Sequence, residues 1–195
     1  MSDDELMERV RDGELERLEV LFERHHAALY RFFRRLVGDG AAAEDLVQEV
    51  FVRLLKYRGG FRPQGNFRAW LYSLARNAAF DQLEKAGVER SRRVEPRVGF
   101  DDGEPVHPLD RVIAPGPSAD EVMERDQTAA LLRRALDEMP ADRRAVLVMS
   151  RYRELRYEEI AEVFGTSVGA IKVRAHRAMK ELRQRYLALT QEVAS

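Results

Sequence analysis

Between Ala86 and Ser118 the chain carries Pro96, Pro105, Pro108, Pro115 and Pro117 interleaved with Gly87, Gly99, Gly103 and Gly116, and no apolar period survives. Proline fixes φ and removes a backbone donor, and glycine raises the entropic cost of any regular element. The tract therefore reads as an extended, flexible linker, its Arg90, Arg92 and Arg93 as solvated linker charge. It divides the 195 residues into an N-terminal domain over 12–86, a linker over 87–119 and a C-terminal domain over 120–188. Each flank has enough apolar content to bury a small core.

Both flanks keep a helical period. From Glu14 to Val37, Leu15, Leu18, Leu21, Phe22, Leu29, Phe32, Phe33 and Leu36 mark one long amphipathic helix, which Gly38, Asp39 and Gly40 end. A second, from about Ala43 to Tyr57, buries Leu46, Val47, Val50, Phe51, Leu54 and Leu55. Its other side carries Asp45, Gln48, Glu49 and Arg53, which periodicity alone reads as a solvated face. After a loop with Pro63 and Gly65, a third helix from about Phe67 to Lys85 turns Trp70, Leu71, Leu74, Ala75, Ala78 and Leu83 inward. Arg68, Tyr72, Arg76, Asn77, Phe80 and Asp81 are left nearer the surface. Asn pairs with base edges, Arg with phosphates, and aromatic rings stack on unpaired bases, so this set suits base reading as well as it suits a capped, packed helix. His25 and His26 are ordinary helix residues, with no spacing that suits a metal.

Beyond the linker, helices over Asp120–Met139 and from Pro140 onward precede YEEIAEVFG, TSVGA and IKVRAHRAMKELRQR. Ile160, Ala161 and Phe164 share a helical face, Gly165 can end that helix at positive φ, and Ser167 can cap the next. This is a helix-turn-helix pattern. The last helix sets Lys172, Arg174, Arg177, Lys180, Arg183 and Arg185 against the single acid Glu181, with Ile171, Ala175, Ala178 and Leu182 on its packing side. Such a blade fits a major groove and neutralises phosphates, so duplex contact is the leading reading. The fold class is all-α: two small helical domains, an N-terminal bundle and a C-terminal four-helix domain, on a linker.

Lys and Arg (33) nearly balance Asp and Glu (34), so nucleic-acid affinity must come from segregated charge. No cysteine is present, which excludes disulfides and thiolate metal sites. No apolar run reaches membrane-spanning length and the acidic start is unlike a signal peptide, so a soluble, cytoplasmic protein without cofactor is expected. Asp101 with Asp102, and Glu158 with Glu159, are the paired carboxylates an enzyme would need, but no nucleophile motif or phosphate-cradling glycine pattern accompanies them.

AEDLVQEVFVRLLK at 43–56, FRAWLYSLARNAAFDQL at 67–83, the Pro-rich linker, and MPADRRAVLVMSRYRELRYEEIAEVFGTSVGAIKVRAHRAMKELR at 139–183 occur in one order. Together they resemble the extracytoplasmic-function sigma factors of the sigma-70 family, over nearly the whole chain from about Asp12 to Tyr186. The resemblance implies a non-enzymatic initiation subunit that takes bacterial core RNA polymerase (beta-prime and beta subunits) to promoter DNA. By it, Asp45, Gln48 and Glu49 hold core polymerase, and Asn66, Phe67, Arg76 and Asn77 read the minus-ten element, where a base is flipped out. Ser167, Gly169, Lys172, Arg174, His176 and Arg177 read the minus-thirty-five duplex. Val173 stands where a small polar residue is common and Ala175 where a larger aliphatic one is, so sequence preference does not transfer. The resemblance alone carries an anti-sigma factor as a further partner. The alternative is a helix-turn-helix regulator that binds duplex DNA without polymerase.

Overall fold

The computed structural model describes residues 1–62, 65–92, 119–151 and 155–194. The described elements are α-helices and one 3₁₀ turn: α1 (Asp3–Arg11), α2 (Arg17–Val37), α3 (Gly40–Tyr57), the turn Arg58–Gly60, α4 (Phe67–Arg92), α5 (Ala119–Asp137), α6 (Ala141–Arg151), α7 (Tyr157–Val163) and α8 (Val168–Ala194).

Local chemistry sets most of the helix ends. Ser2 opens α1 with a reciprocal capping box, its Oγ accepting from the Glu5 amide at 3.2 Å while Glu5 Oε2 accepts from the Ser2 amide at 2.7 Å. Gly38, at φ 86°, ends α2 in the left-handed region, and Asp39 starts α3 by accepting from the Ala41 and Ala42 amides. Two acceptors serve the first turn of α4: Asn66 Oδ1 takes the Ala69 amide at 3.1 Å, and Asp4 Oδ1 reaches across from α1 to the Phe67 amide at 2.7 Å. A segment distant in sequence thereby pins the start of α4.

The expected helices are present, with three corrections. First, α1 precedes them and adds Leu6, Met7 and Val10 to the core; the chain then turns, so Leu15 is 48 % exposed instead of joining the α2 face. Second, α4 runs to Arg92, past its expected end at about Lys85, because Ala86–Arg92 contains no proline and one glycine costs a helix only about 1 kcal/mol. Residues 93–118 of the expected linker lie outside the described residues. Third, Tyr72 is buried, not near the surface, with its ring edge-on to Phe32 at 5.4 Å.

The main core joins α1–α4 around Phe32, Phe33, Tyr72 and Phe67, and it continues into α6 and α7 through Ala145, Met149, Ile160 and Val163. A smaller cluster of Ala135, Met139, Leu147, Ala178, Leu182 and Leu189 holds α5, α6 and α8 together. The two halves of the chain thus share apolar contacts: α4 packs on α7, and α2 on α6. Truncation of the fully buried Phe32 to Ala should lower the unfolding free energy by about 3–5 kcal/mol. Urea denaturation followed by circular dichroism measures it, and a loss under about 1 kcal/mol would contradict this packing.

Candidate polymerase and nucleic-acid interfaces

With Leu46, Val47, Val50 and Leu54 of α3 turned to the core, Asp45, Gln48 and Glu49 stand together on its exposed side. Glu49 Oε1 accepts from Arg53 Nε at 2.7 Å, and Arg53 also reaches Asp81 of α4 at 2.8 Å, which ties the two helices beneath the stripe. Val52, 59 % exposed, lies one turn beyond Gln48 on this face. Periodicity did not single it out, although an apolar residue inside a polar stripe was the available signal. Acids around an exposed apolar residue make a surface suited to a basic, partly apolar partner helix.

The residues expected at the minus-ten element are brought near one another but not all to the surface. Phe67 is 1 % exposed, its ring against His25, Phe61 and Trp70. Asn66, half-buried, spends its Oδ1 on the α4 cap. Asn77 is exposed and accepts from Arg76 Nε at 3.3 Å and Nη2 at 3.1 Å. Arg76 also donates through Nη1 to the Val163 carbonyl at 2.8 Å and lies against the Phe80 and Phe164 rings. Burial pushes its guanidinium below the ordinary value.

At the other end, Gly165 (φ 57°) ends α7, and Ser167 Oγ caps α8 by accepting from the Ala170 amide at 3.2 Å. Lys172, Val173, Arg174, His176 and Arg177 are all exposed along the first turns, opposite buried Ile171, Ala175 and Ala178. A Cβ on Gly169 would meet only Ser167 Oγ, at 4.0 Å, so packing within the chain does not demand glycine there. Farther along, Glu181 is held by Arg143 Nη1 at 2.6 Å and Arg185 Nη2 at 2.9 Å. The basic face thus starts at Lys172 and is partly neutralised only past Lys180. Among the described residues no cluster of His, Cys, Asp and Glu suits a metal.

Two family models match: Sigma-70 region 2 over residues 21–88 and Sigma-70, region 4 over residues 129–182. RNA polymerase sigma factor CarQ of Myxococcus xanthus is 34% identical over 191 residues, 96% of this chain and 99% of that one. The chain belongs to the extracytoplasmic-function sigma factors of the sigma-70 family. ECF RNA polymerase sigma factor SigL of Mycobacterium tuberculosis is 32% identical over 170 residues, 85% of this chain and 86% of that one. The fold is shared with CnrH, solved in complex with the cytosolic domain of CnrY, at TM-score 0.64 and 24% identity over 95% of this chain and 97% of that one. It is shared as well with RpoE from Bartonella quintana, solved with the anti-sigma factor NepR, at TM-score 0.60 and 24% identity over 86% of this chain and 94% of that one.

As a sigma factor the chain directs core RNA polymerase to promoters, with core polymerase and promoter DNA as its partners. Sigma factors are non-enzymatic initiation factors. A regulator working without polymerase is disfavoured, since the N-terminal half matches region 2. No described helix is long and apolar enough to cross a membrane.

The hydrogen bond from Arg143, and then that from Arg185, holds the Glu181 carboxyl below its ordinary value. Its contribution to stability is present above the unfolded carboxylate pKa and is lost as pH falls through the lowered folded value. A carbon-detected NMR titration should therefore place Glu181 below the ordinary carboxylate value, and Arg143→Ala should raise its midpoint. No movement in that variant would mean the pair is not formed in solution.

Proposed function

We propose that the exposed stripe of α3, with Asp45, Gln48 and Glu49 around Val52, docks on the beta-prime subunit of core polymerase. The N-terminal half of α8 then reads the minus-thirty-five duplex, and the stretch of α4 around Arg76 and Asn77 reads melted minus-ten DNA. The observation that carries this division is charge placement: an acidic exposed face on α3 and an exposed basic face at the start of α8, on a chain of net charge −1. Ser167 and Gly169 leave the α8 N-terminus open to a phosphate, Lys172, Arg174 and Arg177 supply cations, and His176 reaches toward base edges. Val173 offers an apolar contact of the kind that suits a thymine methyl.

At the minus-ten element Arg76 and Asn77 make the contacts, Asn66 fixes the loop that precedes α4, and Phe67 supports them from the core. Opening that element costs a few kcal/mol of unstacking per flipped base, roughly, which contacts and stacking must offset. An anti-sigma factor covering these faces fits the same charge pattern, and work with polymerase supports a cytoplasmic location.

Replacement of Asp45 and Glu49 by Lys should weaken co-elution with bacterial core polymerase at least tenfold while leaving helicity unchanged. Equal co-elution would remove the α3 assignment. Arg177→Ala should cut promoter-specific run-off transcription severalfold with core binding intact, and the loss should shrink at low salt, where phosphate contacts are least screened. Lost core binding in that variant would reverse the assignment of the α8 face.

A further inference from the structure

The first turn of α4 is closed by an acid from outside the helix. Asp4 Oδ1 of α1 accepts from the Phe67 amide at 2.7 Å, across 63 positions of sequence, while Asn66 Oδ1 accepts from the Ala69 amide at 3.1 Å. The amides of a helix's first turn have no partner inside the helix, and a capping side chain reaches those in its second or third position. Asn66 serves Ala69 in this way. The Phe67 amide, in the first position, is left to Asp4.

The neighbouring acid fastens the same end of α1 to α2. Asp3 Oδ1 accepts from Arg24 Nη1 at 2.7 Å, and Asp3 Oδ2 lies 2.7 Å from His25 Nε2. The His25 ring packs on the Phe67 ring at 5.3 Å, and Leu6, Met7 and Val10 are buried along α1. Consecutive acids therefore hold the start of α1 against α2 and the start of α4 at once.

This arrangement has a consequence for Asn66. With Oδ1 engaged by Ala69, its Nδ2 group makes no hydrogen bond among the described residues, so two donors remain for a ligand. The segment leading into Asn66 is folded back on the helix: the Gly65 amide donates to the Arg62 carbonyl at 2.9 Å, and the Phe61 ring lies 5.3 Å from that of Trp70. Asn77 stands ~15 Å farther along the axis of the same helix, so an anchored first turn also sets where Arg76 and Asn77 project.

Resting on the assignment of Asn66, Arg76 and Asn77 to the minus-ten element, we propose that Asp4 is a positioning residue for strand reading. By taking the Phe67 amide it fixes the start of α4, keeps Asn66 Oδ1 on Ala69, and aims Asn66 Nδ2 at an acceptor atom of an unpaired base. Asp4 acts through Phe67 and Asn66 and makes no DNA contact of its own.

The probe is a single strand carrying the minus-ten sequence of a promoter that yields run-off transcript with the wild-type holoenzyme, beside a strand of scrambled sequence. Both are titrated against the full chain in complex with core polymerase and followed by fluorescence anisotropy. Asp4→Ala should cut the preference for the matched strand about fivefold, the size of one lost capping hydrogen bond. Asp4→Asn, which keeps an acceptor oxygen without the charge, should retain most of it. Asp39→Ala removes a cap of the same kind from α3. It should lower stability to urea by a similar amount and leave strand preference unchanged. Hydrogen exchange at the Phe67 amide should quicken in Asp4→Ala and not in Asp39→Ala.

A wild-type preference that Asp4→Ala leaves unchanged overturns the proposal while the minus-ten reading stands. Equal tightening of both strands in Asp4→Ala and Asp4→Asn is the signature of a removed surface charge and overturns it as well. The same loss of preference in Asp39→Ala reduces Asp4 to a stability contact. A wild-type holoenzyme that does not distinguish the two strands removes the assignment of Asn66 and Asn77, and the role of Asp4 with it.

Discussion

The packing of α4 against α2 is the contact on which the other parts of the molecule depend. Tyr72 and Phe67 bury large rings beside Phe32 and His25, while Asp4 and Asn66 hold the first turn of the helix. With that side and that end fixed, Arg76, Asn77 and Phe80 have a set direction. The same helix meets α3 through Arg53 and Asp81, and α7 through Arg76 and Val163. A shift of α4 would therefore move the exposed α3 stripe proposed for polymerase, the minus-ten candidates and the interdomain contact together.

Charge is the second organising quantity. The chain is close to neutral as a whole, yet Asp45 and Glu49 are exposed on one helix, and Lys172, Arg174 and Arg177 on another. Segregation of this kind keeps general affinity for nucleic acid low and makes productive binding depend on a partner that fixes the geometry. Interdomain arginines extend the same pattern, since helix-end carbonyls of one half are the docking points of the other.

Much of the fold was legible in the residues because it is written in local chemistry. The long α2 period, the Gly38–Asp39 punctuation and the Gly165–Ser167 turn all stand where spacing and capping place them. What was not legible depends on distant partners. The nine-residue α1 is too short for its period to stand out, and it is held by contacts with α2 and α4. Tyr72 and Phe80 are both left nearer the surface by the sequence pattern, and packing in the core beside Phe32 buries the former. Of the candidate site, the exposed members on α3 and α8 follow from helical facing alone. The burial of Phe67, the capping role of Asn66 and the commitment of Arg76 to Val163 come from tertiary neighbours that no periodicity encodes.

By the proposed assignment, two faces, on α4 and α8, address two different parts of a promoter once polymerase holds the chain. Photo-crosslinking from Asn77 and from Arg174 in the complex with core polymerase and promoter DNA tests it most directly. Asn77 should crosslink to melted single-stranded DNA near the start site, and Arg174 to duplex about two or more helical turns upstream. Crosslinks from both positions to the same stretch of DNA would contradict it.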